Sequence, residues 1–578
     1  GFRKGSAEER LADFRGGGSI RVDKSRMSLA PPNILGYYCG LDAYSTYKLY
    51  TEVLLPAIHR LPAKFQEVFT WYHSLFITNV ELLVQQQLRG VYVDVGQLSQ
   101  FETKTRILID DYSGQFRRHP EVASFLLEWE QKKMAEIAEP TKYKKLPVLG
   151  EAPAEFTKAG KPSKSYAAWL EKKKKIEALG PGEVSQVWLN WAASLPEKQE
   201  KAKFNLHSGS QRSWLFYEKL NKPVKVFTKS DKPATDKKAL PGFGEPGLSL
   251  SKLDKQTKLL GFVEALRGQL DGDNLAHPRF NTPGTFTGRL GGSGGFNWQN
   301  LPKSGGFMKA ISARPGMAWV SLDFASLENY VLCELSRDPS LLKLYGPNAP
   351  EFQDAYLFNA SQLPIIGPKI RATGYDPNAP TEESINRAKK EAKKERDIGK
   401  VITLSANYGA GPGKIQQTLD LSGIKLSFNE AKQLHLAFWN LYAGIKEYRA
   451  WLEEEWERRG GWVFNGVGRP ICVYVDVKKD LVNRVVQSTG HDCLMIFISY
   501  IYELVKSAGF VAYPVLLDTH DETIWECGET DAPKLKLIFE EALVLTNNFL
   551  AGGRDIIRLK GDAQIVYNLA ENKGLVVD

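Results

Sequence analysis

The sequence predicts an α+β fold in which long helical segments are combined with a few apolar strands. Apolar residues recur at helical spacing through 64–115, 428–459 and 478–508. By contrast, 317–324 is a continuous apolar run and 511–526 contains a second one, as expected for strands. With 578 residues, 43% of them hydrophobic, the chain can form a sizeable core in roughly three or four domains.

Charge and cysteine content exclude several classes of protein. The 76 Lys and Arg residues against 67 Asp and Glu give a modest formal net charge of +9. The five cysteines are too scattered for a disulfide framework or a CxxC zinc site, and they fit a reducing, cytoplasmic location. No apolar run is long enough to span a bilayer and no cleavable signal opens the chain, so we expect no membrane partner.

The first half of the chain combines helices with a basic insertion. Residues 1–35 are rich in Gly and Arg and predict a loop, 36–60 predict an amphipathic helix, and Gly90 interrupts the helical pattern of 64–115. Lysines cluster between about 132 and 203 in a stretch that is also rich in Pro and Gly. Such a cluster either neutralises nucleic-acid phosphates or forms a solvated face, and the pattern leaves both interpretations open.

The second half carries the more informative patterns. A Gly-rich loop covers 288–300, and the strand 317–324 is followed by a helical pattern. The charged segment 381–409 predicts one helix, since it starts with Glu residues and ends with Gly. The region 346–395 predicts an irregular insertion, and 462–475 is a strand candidate.

Two aspartates stand in the strand-like runs. Asp323 lies near the end of AWVSLDF, and Asp521 lies far along the chain in VLLDTHDETIWE. If the two carboxylates lie side by side they repel each other, and a divalent cation relieves the repulsion; oxygen ligands of this kind favour Mg²⁺ over zinc. Taken alone, two such residues are better explained as ordinary acids in loops or at strand ends.

A basic stripe on the segment 381–409 supplies a second feature. Arg396, Lys400, Leu404 and Tyr408 recur every four residues, which places them on one face of a helix. The two cations, one turn apart, suit a triphosphate, and Leu404 and Tyr408, the last two residues of the stripe, suit a base and sugar. The alternative is a basic helix that is exposed to solvent and buried only at its C-terminal end.

Together these segments resemble the polymerase region of family A DNA polymerases, the bacterial DNA polymerase I type. LDFASLEN (322–329) and THDETIWE (519–526) resemble the two palm motifs of that family, and RDIGKVITLSANYG (396–409) resembles its fingers helix. Five accessory segments follow the family's order: FNLHSGSQ, TKSDKPAT, TGRLGG, NWQNLP and NRVVQSTGHD. The resemblance covers roughly 75–578 and implies a right-hand fold with an antiparallel palm sheet, helical fingers and a helical thumb.

The resemblance implies a catalytic centre built around metal. Asp323 and Asp521 would hold two Mg²⁺ ions with the backbone carbonyl of Phe324, and Mn²⁺ is a possible substitute. Glu522 is expected beside the metals, and Lys400 completes the catalytic set. These residues would transfer a deoxynucleotide to a primer 3′ end and release pyrophosphate.

The resemblance also implies a nucleotide site and a DNA site. Arg396 and Lys400 would contact the phosphates, Glu328 would exclude a 2′-hydroxyl, and Leu404 and Tyr408 would lie near the sugar and the templating base. The residues expected to contact primer–template DNA are Arg289, Gln299, Asn300, Asn483, Gln487 and His520. A processivity partner is conceivable but nothing in the sequence identifies one.

The resemblance divides the chain into five parts. These are 1–62, the C-terminal remnant of a 3′–5′ exonuclease-like domain; 63–300, palm entry and thumb with the basic insertion at about 132–203; 301–345, palm with the first aspartate; 346–460, fingers; and 461–578, palm with the second aspartate.

The N-terminal remnant rests on YCGLD (38–42), which resembles a motif of proofreading exonuclease domains. Tyr38 would orient water and Asp42 would bind metal, but the Asp-x-Glu pair that completes such a site is not upstream of them. We therefore expect no proofreading by this chain.

Departures from the family pattern are informative as well. Leu404 stands where the family usually has an aromatic ring, and Tyr330 where it usually has Arg. The family's early fingers His is not evident around 350–358. Such departures are more usual in viral members, which suggests a phage origin and, in that case, the host cytoplasm.

Two other functions remain open at this point. One is a single-subunit RNA polymerase, against which Glu328 argues because its side chain obstructs a ribose 2′-hydroxyl. The other is a nucleic-acid-binding scaffold that has lost activity, which would be expected to lack one of the palm aspartates or Lys400.

Overall fold

The computed structural model describes most of the chain. The residues described are 36, 40, 43–60, 63–137, 164–177, 197, 200–228, 230–282, 284–285, 287–350, 352–407, 410–421, 424–474, 478, 480–517, 519, 521–553 and 556–576. Tyr38, Asp42, Tyr408 and His520 lie outside these ranges, as does most of the Lys-rich stretch.

Helices predominate in the described part of the chain. The α-helices are α1 (Leu55–His59), α2 (Ala63–Arg89), α3 (Val95–Arg118), α4 (Pro120–Ile137), α5 (Lys164–Glu177), α6 (Gly209–Ser213), α7 (Glu245–Arg267), α8 (Gly305–Lys309), α9 (Leu327–Ser336), α10 (Pro339–Tyr345), α11 (Ala355–Gln362), α12 (Gly367–Arg371), α13 (Glu382–Glu391), α14 (Lys393–Asn407), α15 (Pro412–Leu421), α16 (Phe428–Leu441), α17 (Ala443–Arg458), α18 (Leu481–Ala508), α19 (Ala532–Ala551) and α20 (Leu569–Asn572). Leu49–Leu54 and Trp214–Lys219 are π-helical, and Leu240–Phe243 and Glu529–Asp531 are 3₁₀ turns.

The strands are few and short. They are β1 (Val91–Tyr92), β2 (Leu275–Ala276), β3 (Arg279–Asn281), β4 (Gly291–Ser293), β5 (Met317–Phe324), β6 (Trp462–Phe464), β7 (Pro470–Cys472), β8 (Ala512–Leu516), β9 (Glu522–Gly528) and β10 (Gly561–Val566). Four of them form an antiparallel sheet in the order β10-β5-β9-β8, and the others pair as β1-β2, β3-β4 and β6-β7. The mixed composition confirms the predicted α+β class.

The chain forms two compact units. The first comprises residues 1–92, 271–301 and 311–575, and the second comprises 93–270, 302–310 and 576–578. The four-stranded sheet belongs to the first unit. The second unit is helical in its larger elements, and its apolar core includes Phe116, Leu215 and Leu250.

The two faces of β5 have different surroundings, because successive side chains of a strand point to opposite sides. Val320, Leu322 and Phe324 belong to the main apolar core, on which α19 packs. On the other face, Ser321 donates to Asn572 and Asp323 accepts from Lys573, both in the C-terminal segment. This face is where the sheet presents its carboxylates.

The predicted break at Gly90 is confirmed, and its cause is local. Gly90 has φ +70°, which an L side chain rarely adopts, and an added Cβ would lie 3.0 Å from the carbonyl oxygen of Ala276. The helix therefore ends at Arg89 and the chain continues into β1.

Three predictions of local structure were wrong. The single helix predicted for 381–409 is two helices, α13 and α14, because Ala392 leaves helical geometry with ψ 36°. The pattern 428–459 is likewise divided at Tyr442, which has ψ 58°. The supposedly irregular region 346–395 contains three short helices, and Asp354 and Thr381 cap two of them through their side chains.

Candidate active site

Asp323 and Asp521 lie next to each other in the first unit. Asp323 is in β5, opposite Glu522 of β9 on one side and Asp562 of β10 on the other. Asp521 is not within a strand, as the apolar run predicted, but in the turn that precedes β9. The backbone N–H of Phe324 donates to the carbonyl oxygen of Asp521 at 3.0 Å, so the turn is fastened to the end of β5.

The electrostatics of the pair follow from this arrangement. Burial and, to a smaller extent, the nearby negative charge of Asp323 raise the pKa of Asp521, whereas Arg289 and Lys573 lower it, and the net result is a pKa of about 6. The side chain of Asp323 remains 53% exposed. The site therefore holds negative charge that the protein only partly neutralises.

A C-terminal lysine, which the sequence analysis missed, contacts the carboxylates. The Nζ of Lys573 donates to Glu522 Oε2 at 2.8 Å and to Asp323 Oδ2 at 3.3 Å. Burial opposes the charge of Lys573, but Glu522 and Asp323 outweigh it and raise the lysine's pKa above its ordinary value. Glu522 is 2% exposed and also accepts from Asn572 Nδ2 at 2.7 Å.

A cavity of about 500 Å³ brings residues from separate motifs together. Among its lining residues are Glu328, Arg396, Asn483 and Asp521, which come from four distant segments of the chain. Ser326, Leu344, Tyr345 and Gln353 also line a second cavity of about 460 Å³, where Asp323 and Glu522 contribute to the wall.

Arg396 is held by a carboxylate that the sequence analysis did not single out. Its Nη2 and Nε donate to Asp354 Oδ2 at 2.9 and 3.2 Å, and Asp354 also caps α11 by accepting from the N–H of Leu357 at 2.9 Å. The Asp354 side chain is 8% exposed and lines the larger cavity. The cations of Arg396 and Lys400 lie 5.4 and 5.6 Å from the ring centre of Tyr356, in the region where the family's His was expected.

Glu328 and Arg289 form an ion pair. Arg289 Nη2 donates to Glu328 Oε1 at 2.9 Å, and Arg289 Nε is buried with no hydrogen-bond partner among the described residues. Glu328 lies in the first turn of α9, directly after the strand that carries Asp323. The pair thus joins the Gly-rich loop to the cavity wall.

A buried network holds that loop against α18. Arg469 donates to Asp492 at 2.8 Å, to Ser488 at 2.7 Å and to the carbonyl oxygen of Thr287 at 2.9 Å. Asp492 is fully buried, so its hydrogen bonds are shielded from water and the network holds the loop in place. Neither Arg469 nor Asp492 was singled out from the sequence, and buried charge partners of this kind have no signal in a single sequence.

The remaining predicted residues are distributed as follows. Asn483 and Gln487 lie on α18, one turn apart and partly buried, but only Asn483 lines the larger cavity. Gln299 and Asn300 lie in the turns after β4 and line neither of the two cavities. Leu404 lies in α14, and its side chain, like Tyr408 and His520, is outside the described residues.

The donors near β5 have the chemistry that a hard cation requires. The carboxylates of Asp323 and Asp521 and the carbonyl of Phe324 are oxygen ligands, and a divalent ion relieves the repulsion that, together with burial, raises the pKa of Asp521. Within the described ranges, no group of three or more His, Cys, Asp or Glu residues is spaced to hold a metal ion.

The same ranges contain no helix with the length and apolar character needed to cross a bilayer.

Comparisons with known proteins agree with the motifs. The sequence profile of DNA polymerase family A matches residues 183–551. The chain is 27% identical to DNA polymerase I of Helicobacter pylori over 352 residues, covering 58% of this chain and 35% of that protein. It is 26% identical to DNA polymerase I of Aquifex aeolicus over 330 residues, covering 56% and 51%.

A phage protein and a solved structure extend the comparison. The DNA polymerase of Mycobacterium phage D29 is 26% identical over 321 residues, covering 53% of this chain and 46% of that protein. The POL domain of Pol1 from M. smegmatis, solved with DNA primer-template and dNTP, has a TM-score of 0.58 at 17% identity, over 99% of this chain and 80% of that one. This likeness confirms the predicted polymerase fold. Because both bacterial and phage relatives match, the phage origin stays a prediction. The chain spans about half or less of the length of these curated relatives.

Proposed function

The chain belongs to the family A DNA polymerases, and from that premise we propose that it adds deoxynucleotides to a primer 3′ end under the direction of a DNA template. The reaction is a phosphoryl transfer that releases pyrophosphate. Its substrates are primer–template DNA and deoxynucleoside triphosphates.

The larger cavity is the observation that carries this proposal. Four residues that the motifs assign to one reaction, Glu328, Arg396, Asn483 and Asp521, line a single space of about 500 Å³. A cavity of a few hundred cubic ångströms is the size that small ligands occupy in proteins. We assign this space to the incoming nucleotide.

The charges around the cavity match the parts of a nucleoside triphosphate. Arg396 is planar and forked, so it suits two phosphate oxygens at once, while the exposed Lys400, one turn away on α14, suits a point contact. In the free protein Asp354 occupies the fork of Arg396, and phosphate oxygens replace or share that partner on binding. Glu328, held by Arg289, closes the sugar end and disfavours a 2′-hydroxyl.

The carboxylates beside the cavity are proposed to hold the metal. Asp323, Asp521 and the carbonyl of Phe324 would bind two Mg²⁺ ions, for which Mn²⁺ can substitute. Magnesium held by these residues would lower the pKa of the primer hydroxyl and neutralise charge on the phosphates. Since both oxygens of Glu522 are engaged by Asn572 and Lys573, we assign Glu522 to orienting these neighbours.

The DNA contacts are proposed for the six residues that the family motifs imply. Arg289, Gln487 and His520 would read the minor-groove edge of the primer terminus, where acceptors occupy similar places in every correct pair. Asn483, Gln299 and Asn300 are assigned supporting contacts to the duplex.

Extension of a labelled primer by one nucleotide tests the proposal. With Mg²⁺ and the complementary deoxynucleotide we expect extension, and Asp521→Ala should abolish it while the affinity for DNA, measured by fluorescence anisotropy, stays within about twofold. The matched control is Glu540→Gln, an exposed acid of α19 outside the site.

Each alternative predicts a different result in the same experiment. Preferred use of ribonucleotides would identify a single-subunit RNA polymerase. DNA binding by the unaltered chain without extension of the primer would identify a scaffold. Extension by Asp521→Ala at an undiminished rate would overturn the metal assignment.

A further inference from the structure

We propose that the ammonium group of Lys573 is a resident counter-ion of the catalytic carboxylates, and that a divalent cation has to bind against its charge. This inference rests on the metal site proposed above. It assigns a role in metal affinity to a C-terminal residue that lies outside all of the polymerase motifs.

The contacts of Lys573 are divided between two acids. Its Nζ lies 2.8 Å from Glu522 Oε2 and 3.3 Å from Asp323 Oδ2. The other oxygen of Glu522 accepts from Asn572 Nδ2 at 2.7 Å, and Thr519 Oγ1 lies 3.0 Å from Oε2. Because both of its oxygens are occupied, Glu522 serves as the anchor of Lys573, whereas Asp323 keeps an exposed side chain.

The backbone around Lys573 is fixed by the fold. It follows α20, which is capped by Asn568 through a bond from the N–H of Glu571 at 3.0 Å. The N–H of Leu569 donates to the carbonyl oxygen of Ile311 at 3.0 Å, and Leu569 is buried. The ammonium group is therefore held at the edge of the sheet and is not a freely moving surface charge.

The local charge balance explains why a cation is needed there. Asp323 faces Glu522 and Asp562 across the sheet, and Asp521 lies beside its strand. Glu328 is already neutralised by Arg289. Among the described side chains, Lys573 is the cation whose ion pairs with both Asp323 and Glu522 are observed. It reduces the repulsion between carboxylates in the metal-free protein.

The same charge acts against an incoming metal ion. A divalent cation bound to Asp323 would lie within several ångströms of the ammonium group, and like charges at that distance repel each other appreciably even where water screens them. Lys573 thus lowers the affinity for metal in the free enzyme. Such a site binds the metal ion more tightly when nucleotide phosphates add their own negative charge.

Direct titration with Mn²⁺, followed by electron paramagnetic resonance on the full chain without DNA or nucleotide, tests this role. Lys573→Met keeps the apolar stem and removes the charge, so we expect a dissociation constant roughly three- to tenfold lower than that of the unaltered chain. Lys573→Arg keeps the charge and should bind Mn²⁺ within about twofold of the unaltered chain.

The variants distinguish this inference from the proposed function. Unchanged or weaker Mn²⁺ binding by Lys573→Met, in protein whose circular dichroism shows it to be folded, would overturn the role of Lys573. A tighter site in Lys573→Arg as well as in Lys573→Met would also overturn it, because the charge would then not be the cause. Asp521→Ala is the separate control: if it leaves Mn²⁺ binding intact, the metal site itself is wrong.

Discussion

Asp521 should destabilise the metal-free protein at neutral pH, and Asp521→Asn should relieve that effect. The carboxylate is partly buried and faces the charge of Asp323, so its ionised form is disfavoured in the folded state. Asparagine has nearly the same shape and no charge. The substitution therefore removes the repulsion while it leaves most of the packing in place.

The magnitude follows from the pKa. In the folded protein the pKa of Asp521 is raised from 3.8 to about 6, so at pH 7.5 the ionised form costs up to about 3 kcal/mol, at about 1.4 kcal/mol for each pH unit. Since Asp521 is only partly buried, solvent screening reduces this to about 1–2 kcal/mol.

The sign of the pH dependence is fixed by linkage. The folded state binds the proton of Asp521 more tightly than the unfolded state, so the free energy of unfolding falls as pH rises from about 4 to about 6. Below that window Asp521 is protonated in both states, and above it the loss is complete. The advantage of Asp521→Asn should therefore be small at pH 4, grow between about pH 4 and 6, and level off above that window.

Urea unfolding, followed by tryptophan fluorescence in the presence of EDTA between pH 4 and 8, measures this difference. Glu540→Gln is again the control for the loss of a surface charge. If Asp521→Asn is no more stable than the unaltered chain at pH 7.5, or its advantage is the same at every pH, the reasoning that burial and the charge of Asp323 disfavour the ionised Asp521 is refuted.

Two further predictions concern the nucleotide site. Asp354→Asn removes the negative charge that pairs with Arg396, while the amide oxygen can still accept a hydrogen bond. In single-nucleotide kinetics, KM for the incoming nucleotide should therefore fall about two- to fivefold with kcat nearly unchanged. A higher KM would contradict this. Glu328→Ala opens the sugar end of the cavity and should raise kcat/KM for ribonucleotides relative to deoxynucleotides by about 10- to 200-fold. Arg289→Ala removes the ion pair of Glu328 and should raise the same ratio by less. An unchanged ratio in Glu328→Ala would contradict the assignment of Glu328.

The parts of the fold that depend on local pattern could be predicted from the sequence. The continuous apolar run 317–324 forms β5, because an inner strand of a sheet is buried along most of its length and therefore needs apolar side chains. The periodic run 478–508 became α18, and Gly90 ended a helix because its backbone adopts a positive φ. In each case a few neighbouring residues determine the result.

The parts that depend on tertiary contacts could not be predicted in this way. Lys573 lies 250 positions from Asp323, and nothing near either residue indicates that they meet. Asp354 reaches Arg396 only because α11 and α14 pack together. Asp521 was assigned to a strand because the apolar run continues past it, yet the chain turns at that point and fastens to Phe324.

The most direct test of the account is the position of Mn²⁺, located by anomalous diffraction from crystals soaked with the ion together with primer–template DNA and a non-reactive nucleotide. We expect density about 2.1–2.3 Å from carboxylate oxygens of both Asp323 and Asp521. Manganese bound to only one of these residues, or held elsewhere while both carboxylates contact solvent, would contradict the account.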